Sequence, residues 1–305
     1  MDSLSRLIQL VRPKACLELR CLLEGAFSIE HVPEPEGTVP FHLVLSGSCV
    51  IRTTEAQFLK LQAGDFVLFP RGGAHGIYDK DKLKAPALPF TLTSDGLLPL
   101  RRNGDGEADV DMICGRFLCE KGAVASLFAT LPDPMHISLA KSQPIESLQT
   151  LVSLMRSESD RHLSGAFAIV TALSQALFAM ALRAYGENHP EVPNILTLLA
   201  DGRLSASIQA LLANPGYNWT IADLGEKAAM SRATYARHFS AKAGITISEF
   251  INQIRMATAC ELLVKTKRSA TDIGMEVGYR SDAAFGKAFR LYSGLTPGRY
   301  RMQEK

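Results

Sequence analysis

Short apolar runs separated by turn residues fill the first 120 positions of the chain. The segments FHLVLSGSCVIR, FLKLQ, DFVLFP and MICGRFLC are rich in β-branched and aromatic side chains, and Gly, Pro or Asp lies between them. Runs of this length and composition predict β-strands. Between Asp79 and Asp111 the sequence is polar and contains Pro and Gly, which predicts a long loop inserted between two strands.

The spacing of apolar residues becomes helical after about residue 145. The segments IESLQTLVSLMRSESD and GAFAIVTALSQALFAMALRAYG place them at i, i+3, i+4 and i+7, as amphipathic helices do. The second segment is apolar almost all round, so we expect burial on more than one side, in a helical core or in a subunit interface. Gly186 and the two prolines of ENHPEVPN then predict the end of the helix and a linker.

The C-terminal part contains an ungapped repeat. SRATYARHFSAKAGITISEF (231–250) aligns with SDAAFGKAFRLYSGLTPGRY (281–300), and a short helical pattern precedes each copy. Ser231 and Ser281 stand where a helix N-cap accepts hydrogen bonds from the first free N–H groups. Each copy therefore predicts a helix, a tight turn and a second helix.

The second helix of each copy has two different faces. Aromatic residues at i and i+4, Tyr235 and Phe239 or Phe285 and Phe289, predict the side that faces the core. The opposite face is small and partly basic, and it consists of Arg232, Ala233, Ala236, Arg237 and Ser240 in one copy and Asp282, Ala283, Gly286, Lys287 and Arg290 in the other. Such a helix after a short turn suits insertion into the major groove of DNA. Two solvated helical hairpins are the structural alternative.

Charge is distributed unevenly along a chain whose formal net charge is only +2. From Tyr217 onward, 14 Lys and Arg residues stand against 8 Asp and Glu, whereas the preceding residues carry 19 against 23. This asymmetry indicates that the C-terminal part meets a polyanion. The acidic residue in the opening MDSLSRLIQL disfavours a signal peptide. Six cysteines without a regular framework favour a reducing, cytoplasmic setting.

The repeat and the helix between its copies resemble the DNA-binding domain of the AraC/XylS transcriptional regulators. QIRMATACELL matches the long helix that joins two helix-turn-helix units in that family, and IGMEVGYRSDAAFGKAFRLYSGLTPGRYR matches the family signature in order and spacing. The resemblance implies a transcription regulator, more often an activator than a repressor, that binds promoter DNA and works with RNA polymerase. It implies a homodimer joined through the helices from about Ile145 to Tyr185, and neither a cofactor nor a membrane.

Chemistry at the matched positions suggests individual DNA contacts. Arg237 can donate two hydrogen bonds to guanine O6 and N7, and Arg232 and Lys287 are second choices, for base edges or phosphates. The residues that we assign to phosphates, which position a protein without reading sequence, are Ser231, Ser281, Arg280 and Arg299. The second recognition helix begins with DAAFG and offers little side chain for reading bases. We expect it to add affinity through Lys287 and Arg290.

One histidine lies in a motif typical of small ligand-binding barrels. GDFVLFPRGGAHGIYD matches the second cupin motif, G-x5-P-x-G-x2-H-x3-N, at Gly64, Pro70, Gly72 and His75, with Asp79 in place of Asn. The ligands of the first cupin motif would fall near positions 33–36 and 40, which hold only Pro and Glu. His31 and His42 lie nearby but off the motif. Because a catalytic metal needs several ligands, we expect a cupin-like barrel that is not an enzyme.

Three roles stay open for His75. It is a satisfied structural histidine, or it lines a ligand pocket with His42, or it belongs to a partial metal site with His42 and Cys49. The second role would make the chain a regulator that senses a small molecule or metal in the barrel. A cupin enzyme, such as an isomerase or a dioxygenase with an appended helical domain, is a more remote alternative.

The cysteines suggest a different signal. The opening MDSLSRLIQL, a cysteine near position 20, PRGGAH and ICG resemble one branch of the AraC/XylS family that contains a reactive-chlorine-responsive regulator. The resemblance implies that Cys21 and Cys114 form a redox pair. Hypochlorous acid would convert them, through a sulfenyl-type intermediate, to a disulfide that a reductant can reset. Inert packing of buried thiols is the alternative.

Together these features predict an α+β protein with a cupin-like β-barrel and an all-α tandem helix-turn-helix domain. We expect a sensor and dimerisation domain over 1–186, whose helical part lies at about 145–186. A linker over 187–200 and the DNA-binding domain over 201–305 follow. The signal is either an oxidant or a small molecule.

Overall fold

The structure is a computed structural model of the 305-residue chain. It describes residues 1–55, 57–79, 88–93, 98–139, 150–151, 153–155, 157–158 and 163–303. The chain forms two compact units. The barrel unit comprises Pro13–Cys119 and Pro132–Ala184, and the helical unit comprises Met1–Arg12, Glu120–Leu131 and Tyr185–Lys305. The predicted α+β class is confirmed, since the strands lie in the barrel unit and the helix-turn-helix repeat lies in the helical unit.

The described strands of the barrel unit form two sheets. The strands are β1 (Lys14–Leu23), β2 (Ser28–His31), β3 (Thr38–Ser46), β4 (Ser48–Thr53), β5 (Phe58–Gln62), β6 (Asp65–Leu68), β7 (His75–Asp79), β8 (Thr91–Thr93), β9 (Leu100–Arg102), β10 (Val110–Leu118) and β11 (Met135–Ser138). The seven-stranded sheet has the order β11-β6-β3-β10-β1-β9-β8, and the four-stranded sheet has the order β2-β7-β4-β5. The pairing of β1 with β9 is parallel, and the others are antiparallel.

Both sheets contribute side chains to one apolar core. Val44 and Met112 reach it from the seven-stranded sheet, and Ile51 and Ile77 reach it from the four-stranded sheet; all four are fully buried. Burial of each such side chain contributes about 1.5–3 kcal/mol. Strand β3 is buried along almost its whole length, which explains its continuous apolar sequence.

The stretch predicted as a long loop is partly strand. Strands β8 and β9 lie inside 79–111 and pair with each other, and β9 also pairs with β1 at the edge of the larger sheet. Residues 80–87 and 94–97 of this stretch lie outside the described residues. The loop prediction was therefore wrong for Thr91–Thr93 and Leu100–Arg102, because these short runs extend a sheet whose neighbouring strand is distant in sequence.

Helices make up the helical unit, and one long helix runs into it from the barrel unit. The described helices are α1 (Ser3–Val11), α2 (Lys121–Leu127), α3 (Ala166–Asn188), α4 (Ile195–Ala200), α5 (Ser205–Ala213), α6 (Ile221–Lys227), α7 (Arg232–Ala243), α8 (Ile247–Lys265), α9 (Ala270–Glu276), α10 (Asp282–Ser293) and α11 (Pro297–Gln303). The sequence repeat appears as two helix-turn-helix units, α6–α7 and α9–α10, which α8 connects.

The two helix-turn-helix units begin and end their second helices in the same way. The side chain of Ser231 accepts a hydrogen bond from the backbone N–H of Thr234, and Ser281 does the same for Ala284. Each helix ends at a glycine with positive φ, +72° at Gly244 and +73° at Gly294, a conformation that glycine adopts without steric cost. The predicted caps are confirmed.

The first helix of the chain belongs to the helical unit, which the sequence did not predict. Helix α1 buries Leu7, Leu10 and Val11 and packs against α4, α5, α8 and α2. The guanidinium of Arg6 lies 2.7 Å from a carboxylate oxygen of Glu261 on α8. Helix α2 packs against α8 and α10. Helix α1, which precedes β1, and helix α2, which follows β10, thus belong to the helical unit.

The predicted linker contains a helix. Helix α3 continues through Gly186 to Asn188, and α4 occupies Ile195–Ala200 after an N-cap at Asn194. A Cβ atom on Gly186 would lie 2.6 Å from the carbonyl oxygen of Leu196, so glycine here permits close packing and does not end the helix. The predicted dimerisation segment, 145–186, lies in part outside the described residues.

By length and composition, α3 is the one described helix that could cross a membrane. Its most apolar 18-residue window has a mean hydropathy of 1.6, and 39% of that window is buried. The core helix of a globular protein passes the same test, so the indication is weak.

The core of the second helix-turn-helix unit yields a stability prediction. Phe289 is fully buried and packs against Phe285 and Tyr300. Replacing it with alanine should lower the free energy of unfolding by about 3–5 kcal/mol, because the change removes buried apolar surface and leaves a cavity. Urea unfolding followed by fluorescence of Trp219 reports the helical unit, since Trp219 lies in that unit and is the single tryptophan of the chain.

The matched control lies on the same helix. Leu291 is 88% exposed, so Leu291→Ala should change the free energy of unfolding by no more than about 0.5 kcal/mol. Equal unfolding midpoints for the two variants would contradict the assignment of Phe289 to the core.

Candidate DNA-binding surface and the thiol and imidazole cluster

Helix α7 presents the predicted polar face to solvent. Tyr235 and Phe239 are fully buried, and the hydroxyl of Tyr235 donates to Ser207 across the unit. Arg232 and Arg237 are exposed, and within the described part of the chain neither forms an ion pair. The remaining predicted contacts on this helix are the exposed Ser231 and Ala233 and the half-buried Ala236.

Helix α10 repeats the arrangement with a different surface. Phe285 and Phe289 are buried. The predicted contact residues on or near this helix are all exposed: Arg280, Ser281, Asp282, Ala283, Lys287, Arg290 and Arg299. The carboxylate of Asp282 accepts a hydrogen bond from Thr271 on α9, which orients it towards the preceding helix. Each unit therefore offers an exposed helix face with basic side chains, as a helix that enters the major groove requires.

Four side chains meet in the barrel core. Strand register sets Cys114 directly opposite His42, and it sets His31 directly opposite His75. The Nδ1 atom of His42 lies 3.1 Å from Cys114 Sγ, and its Nε2 atom lies 2.8 Å from His75 Nε2. Because β3 and β7 belong to different sheets, the contact between His42 and His75 links the two sheets. We call His31, His42 and His75 the imidazole cluster.

Hydrogen-bond partners assign the protons of the neutral rings. The Nδ1 atom of His75 lies 2.8 Å from the carbonyl oxygen of Gly73, which only accepts, so His75 carries its proton on Nδ1. Its Nε2 atom must then accept, and His42 donates to it through Nε2–H. The Nδ1 atom of His42 is left to accept from the thiol of Cys114. The chain of donors runs from Cys114 through both rings to the backbone.

Burial keeps these rings uncharged. Desolvation lowers the pKa of both His31 and His75 to about 4 and lowers the pKa of His42 well below its usual value. His42 is 1% exposed and His75 is 4% exposed. A buried imidazolium would lack the water that stabilises its charge. The three imidazole rings are therefore neutral near pH 7.

The structure brings together the predicted redox pair. Cys21 on β1 and Cys114 on β10 lie in the same apolar cluster on adjacent antiparallel strands, where Cys114 is two residues from Met112, the residue opposite Cys21. The pKa of Cys21 is lowered, chiefly because Cys114 can turn its single S–H from His42 to the Cys21 thiolate, and the pKa of Cys114 is raised by the same hydrogen bond and by burial. Cys21 is thus the thiol of this pair that ionises first.

The other cysteines differ in environment. Burial raises the pKa of Cys49 to about 12, which makes it a poor metal ligand and a poor nucleophile. Cys49 does not belong to the imidazole cluster, whereas His31, which the sequence placed off the motif, does. The pairing of β2 with β7 decides this, and none of the strands predicted from the sequence corresponds to β2.

Comparisons with known proteins agree with both units. A family model described as a cupin matches residues 2–187, and one described as a helix-turn-helix domain matches residues 224–303. The chain is therefore a DNA-binding transcriptional regulator whose N-terminal part has the cupin fold.

Relatives match the chain over almost all of its length. An uncharacterized HTH-type transcriptional regulator of Haemophilus influenzae is 32% identical, with 99% of this chain and 98% of the relative covered. The HTH-type transcriptional regulator MtrA of Neisseria gonorrhoeae is also 32% identical, with 99% of both covered. The RCS-specific HTH-type transcriptional activator RclR of Escherichia coli is 26% identical, with 99% and 97% covered. The chain belongs to the AraC family of regulators that carry an N-terminal cupin domain.

Two solved structures illustrate the extent of structural similarity. The DNA-binding domain of AdpA in complex with a target DNA aligns at 25% identity with a TM-score of 0.32, covering 34% of this chain and 93% of that one. ToxT from Vibrio cholerae aligns at 11% identity with a TM-score of 0.38, covering 95% and 98%.

The hydrogen bond between Cys114 and His42 can be tested by comparing two substitutions. Cys114→Ser keeps a donor for His42 Nδ1, whereas Cys114→Ala leaves that buried nitrogen without a partner. Cys114→Ala should therefore be less stable than Cys114→Ser by about 1–3 kcal/mol. Chemical unfolding followed by far-ultraviolet circular dichroism measures the difference. A serine variant less stable than the alanine variant would show that the site is apolar and that this hydrogen bond is absent.

Proposed function

We propose that this regulator activates transcription from specific promoter sites in the cytoplasm, and that oxidation of Cys21 and Cys114 is its signal. The observation that carries the proposal is the position of these two cysteines, which are diagonal neighbours on adjacent strands and lie in one apolar cluster of the barrel unit. The activator named RclR, which is 26% identical, is described as specific for RCS and supports an oxidant signal. No cofactor is required, since the thiols themselves undergo the chemistry, and relatives named as regulators disfavour an enzyme.

The proposed reaction is a two-electron oxidation of the thiol pair. Hypochlorous acid transfers chlorine to the Cys21 thiolate and releases hydroxide. The thiol of Cys114 then attacks the Cys21 sulfur, displaces chloride and loses its proton, which leaves one S–S bond. A cellular dithiol reverses the change by thiol–disulfide exchange. Cys21 is the site of first attack because its pKa is the lower of the two.

Strand geometry supports a disulfide that acts as a switch. Cys21 pairs with Met112, and Cys114 pairs with Leu19, so the two cysteines are diagonal neighbours whose Cα atoms lie about 7–8 Å apart in a regular sheet. A disulfide requires Cα atoms no more than about 7 Å apart. Its formation therefore pulls β1 and β10 together and strains the pairing, and a strained disulfide is easily reduced.

Chain connectivity supplies a route from the barrel unit to DNA. Strand β1 follows α1 directly, and α2 follows β10 directly. Both helices belong to the helical unit, where the N–H of Glu120 donates to the carbonyl of Val11. A shift of β1 against β10 is thereby transmitted to two helices that pack on α8. The proposed sensor domain, 1–186, acts through these segments, and the DNA-binding domain, 201–305, responds.

DNA recognition is proposed to follow the exposed faces of α7 and α10. Arg237 reads a guanine, with Arg232 as a second base or phosphate contact. The second helix adds affinity through Lys287 and Arg290. The protein would bind as a homodimer, joined by the helices within 145–186, and would contact RNA polymerase when bound.

A small-molecule signal is the second candidate. An open pocket of about 340 Å³ in the barrel unit is lined by His31 and His75 and by the charged residues Glu30 and Arg52. Polar groups that converge in a pocket favour a small ligand. Because DNA binding would then be insensitive to oxidants, the test below separates this candidate from the thiol switch.

Oxidation should change DNA affinity reversibly. We expect stoichiometric hypochlorous acid to change the apparent Kd of the reduced protein for its own upstream DNA by about 5–150-fold, the usual range of coupling between two sites. Dithiothreitol should restore the original value. The measurement is a mobility-shift titration at fixed salt, because phosphate contacts make affinity depend steeply on ionic strength.

Cysteine variants identify the thiols responsible for the response. Cys21→Ser and Cys114→Ser should each abolish the response, and Cys49→Ser should retain it, because its thiol does not ionise near neutral pH. A response that persists in both of the first two variants would refute the thiol pair. If oxidant leaves the DNA affinity of the reduced protein unchanged, the small-molecule candidate is favoured.

Arg237 should contribute specificity. Arg237→Ala is expected to weaken binding to the specific site by about 1–3 kcal/mol, because the two hydrogen bonds to guanine are lost, with a smaller effect on unrelated DNA. Arg203, which is exposed but lies outside α7 and α10, provides the control, and Arg203→Ala should bind as the parent does. Equal losses on specific and unrelated DNA would instead assign Arg237 to a phosphate.

A further inference from the structure

The imidazole cluster is assembled from three strands that are distant in sequence. His31 lies on β2, His42 on β3 and His75 on β7. The nitrogens that they could offer as ligands all lie within 4.8 Å of one another, and among the described residues no other group of three histidine, cysteine or acidic side chains is spaced in this way. His75 alone stands at a cupin-motif position, since positions 33–36 and 40 hold no histidine.

Two of the rings already have the surroundings of metal ligands. A metal-bound histidine usually donates its second N–H to a carbonyl or a comparable acceptor, which fixes the ring. His75 donates through Nδ1 to the carbonyl of Gly73 and stacks on Phe69 at 3.7 Å between ring centroids. Its Nε2 lone pair therefore points at the cluster. Metal binding requires the proton of His42 to move from Nε2 to Nδ1, where the sulfur of Cys114 accepts it, and this change frees the Nε2 lone pair for the ion.

The His31 ring has a nitrogen that lacks a hydrogen-bond partner among the described residues. His31 Nε2 is buried and has no hydrogen-bond partner among the described residues, although a buried polar atom without a partner destabilises the fold. The ring stacks on His75 at 4.6 Å between centroids, at an angle of 12°. A bound ion would supply the missing partner.

We propose that His31, His42 and His75 bind one divalent transition-metal ion, and that zinc is the ion this site suits. Three neutral imidazoles match the preference of zinc for nitrogen ligands and leave a fourth position open. Zn–N distances of about 2.0–2.1 Å require ligand nitrogens about 3.4 Å apart. The two facing Nε2 atoms, now 2.8 Å apart, separate slightly, and the half-buried His31 moves inward.

The open pocket provides a way in and room for the fourth ligand. It reaches His31 and His75 from the protein surface. Cys114 acts as a positioning residue, since it touches His42 and not the ion. The proposed metal site does not depend on the proposed thiol switch, because its ligands are the histidines and the titration below uses the fully reduced protein.

Cobalt titration of the chelator-treated, fully reduced full-length protein tests the proposal. One equivalent of Co²⁺ should bind with the visible absorption of a tetrahedral ion, and one equivalent of Zn²⁺ should displace it. Loss of an outer hydrogen-bond partner weakens metal binding by about 10–100-fold. His31→Ala and His75→Ala each remove a ligand, so each should weaken Co²⁺ binding by more than that. His189→Ala, in the helical unit, should bind as the parent does.

Further readouts separate the histidine site from thiol binding and from misfolding. Cys114→Ala should weaken Co²⁺ binding by about 10–100-fold and Cys114→Ser should largely retain it. The cobalt spectrum should lack the near-ultraviolet charge-transfer band of a thiolate ligand. Because His31 is half-buried at a strand end, His31→Ala should keep the parent circular dichroism even if His75→Ala does not fold. Unchanged Co²⁺ affinity in His31→Ala, a thiolate band, or no binding by the parent would overturn the site.

Discussion

Strand β10 is paired on both sides, and these two pairings bring together Cys21, His42 and Cys114 in the barrel unit. Register against β3 sets Cys114 opposite His42, and register against β1 sets it beside Cys21. A slip of one residue in either pairing would turn Cys114 to the other face of the sheet. Arg20 and Asp111 reinforce the pairing of β1 with β10 through two 2.9 Å hydrogen bonds. Loss of one partner of such a buried pair typically costs about 3–5 kcal/mol.

The two sheets are joined where the rings of His42 and His75 meet. Burial keeps both rings neutral, and the hydrogen bond between them occupies one nitrogen of each ring. Thiols and imidazoles therefore lie in one continuous polar chain inside an apolar core. In such surroundings a change in the hydrogen bonding of one group alters the hydrogen bonding of its neighbour, since each group has few alternative partners.

The helical unit shows how a duplicated sequence can serve unequal roles. Both second helices have a serine N-cap, two aromatic residues in the core and a glycine at the end. Their solvent faces differ, because the first offers Arg232 and Arg237 and the second begins with Asp282 and small residues. The shared positions maintain the fold, and the positions that differ change the charge and size of the exposed side chains.

Local features account for what could be predicted. Caps, aromatic spacing and terminal glycines act within about one turn of a helix, so the helix-turn-helix repeat, its exposed faces and its class of partner were visible in the amino-acid order. The apolar runs that form β3, β4, β5, β6 and β10 were also visible, whereas the other strands of the barrel unit were not predicted individually. The partners of α1 were not, because an amphipathic helix specifies an apolar face but not what covers it.

The amino-acid sequence by itself determined the two kinds of unit, the DNA-binding class and the residues that face solvent on α7 and α10, since each of these depends on neighbours a few positions away. Tertiary structure alone decided that His31 joins His42 and His75, that Cys49 does not, and that α1 and α2 belong to the helical unit. Strand register and helix docking bring together residues tens of positions apart, and no local pattern in the chain encodes those distances.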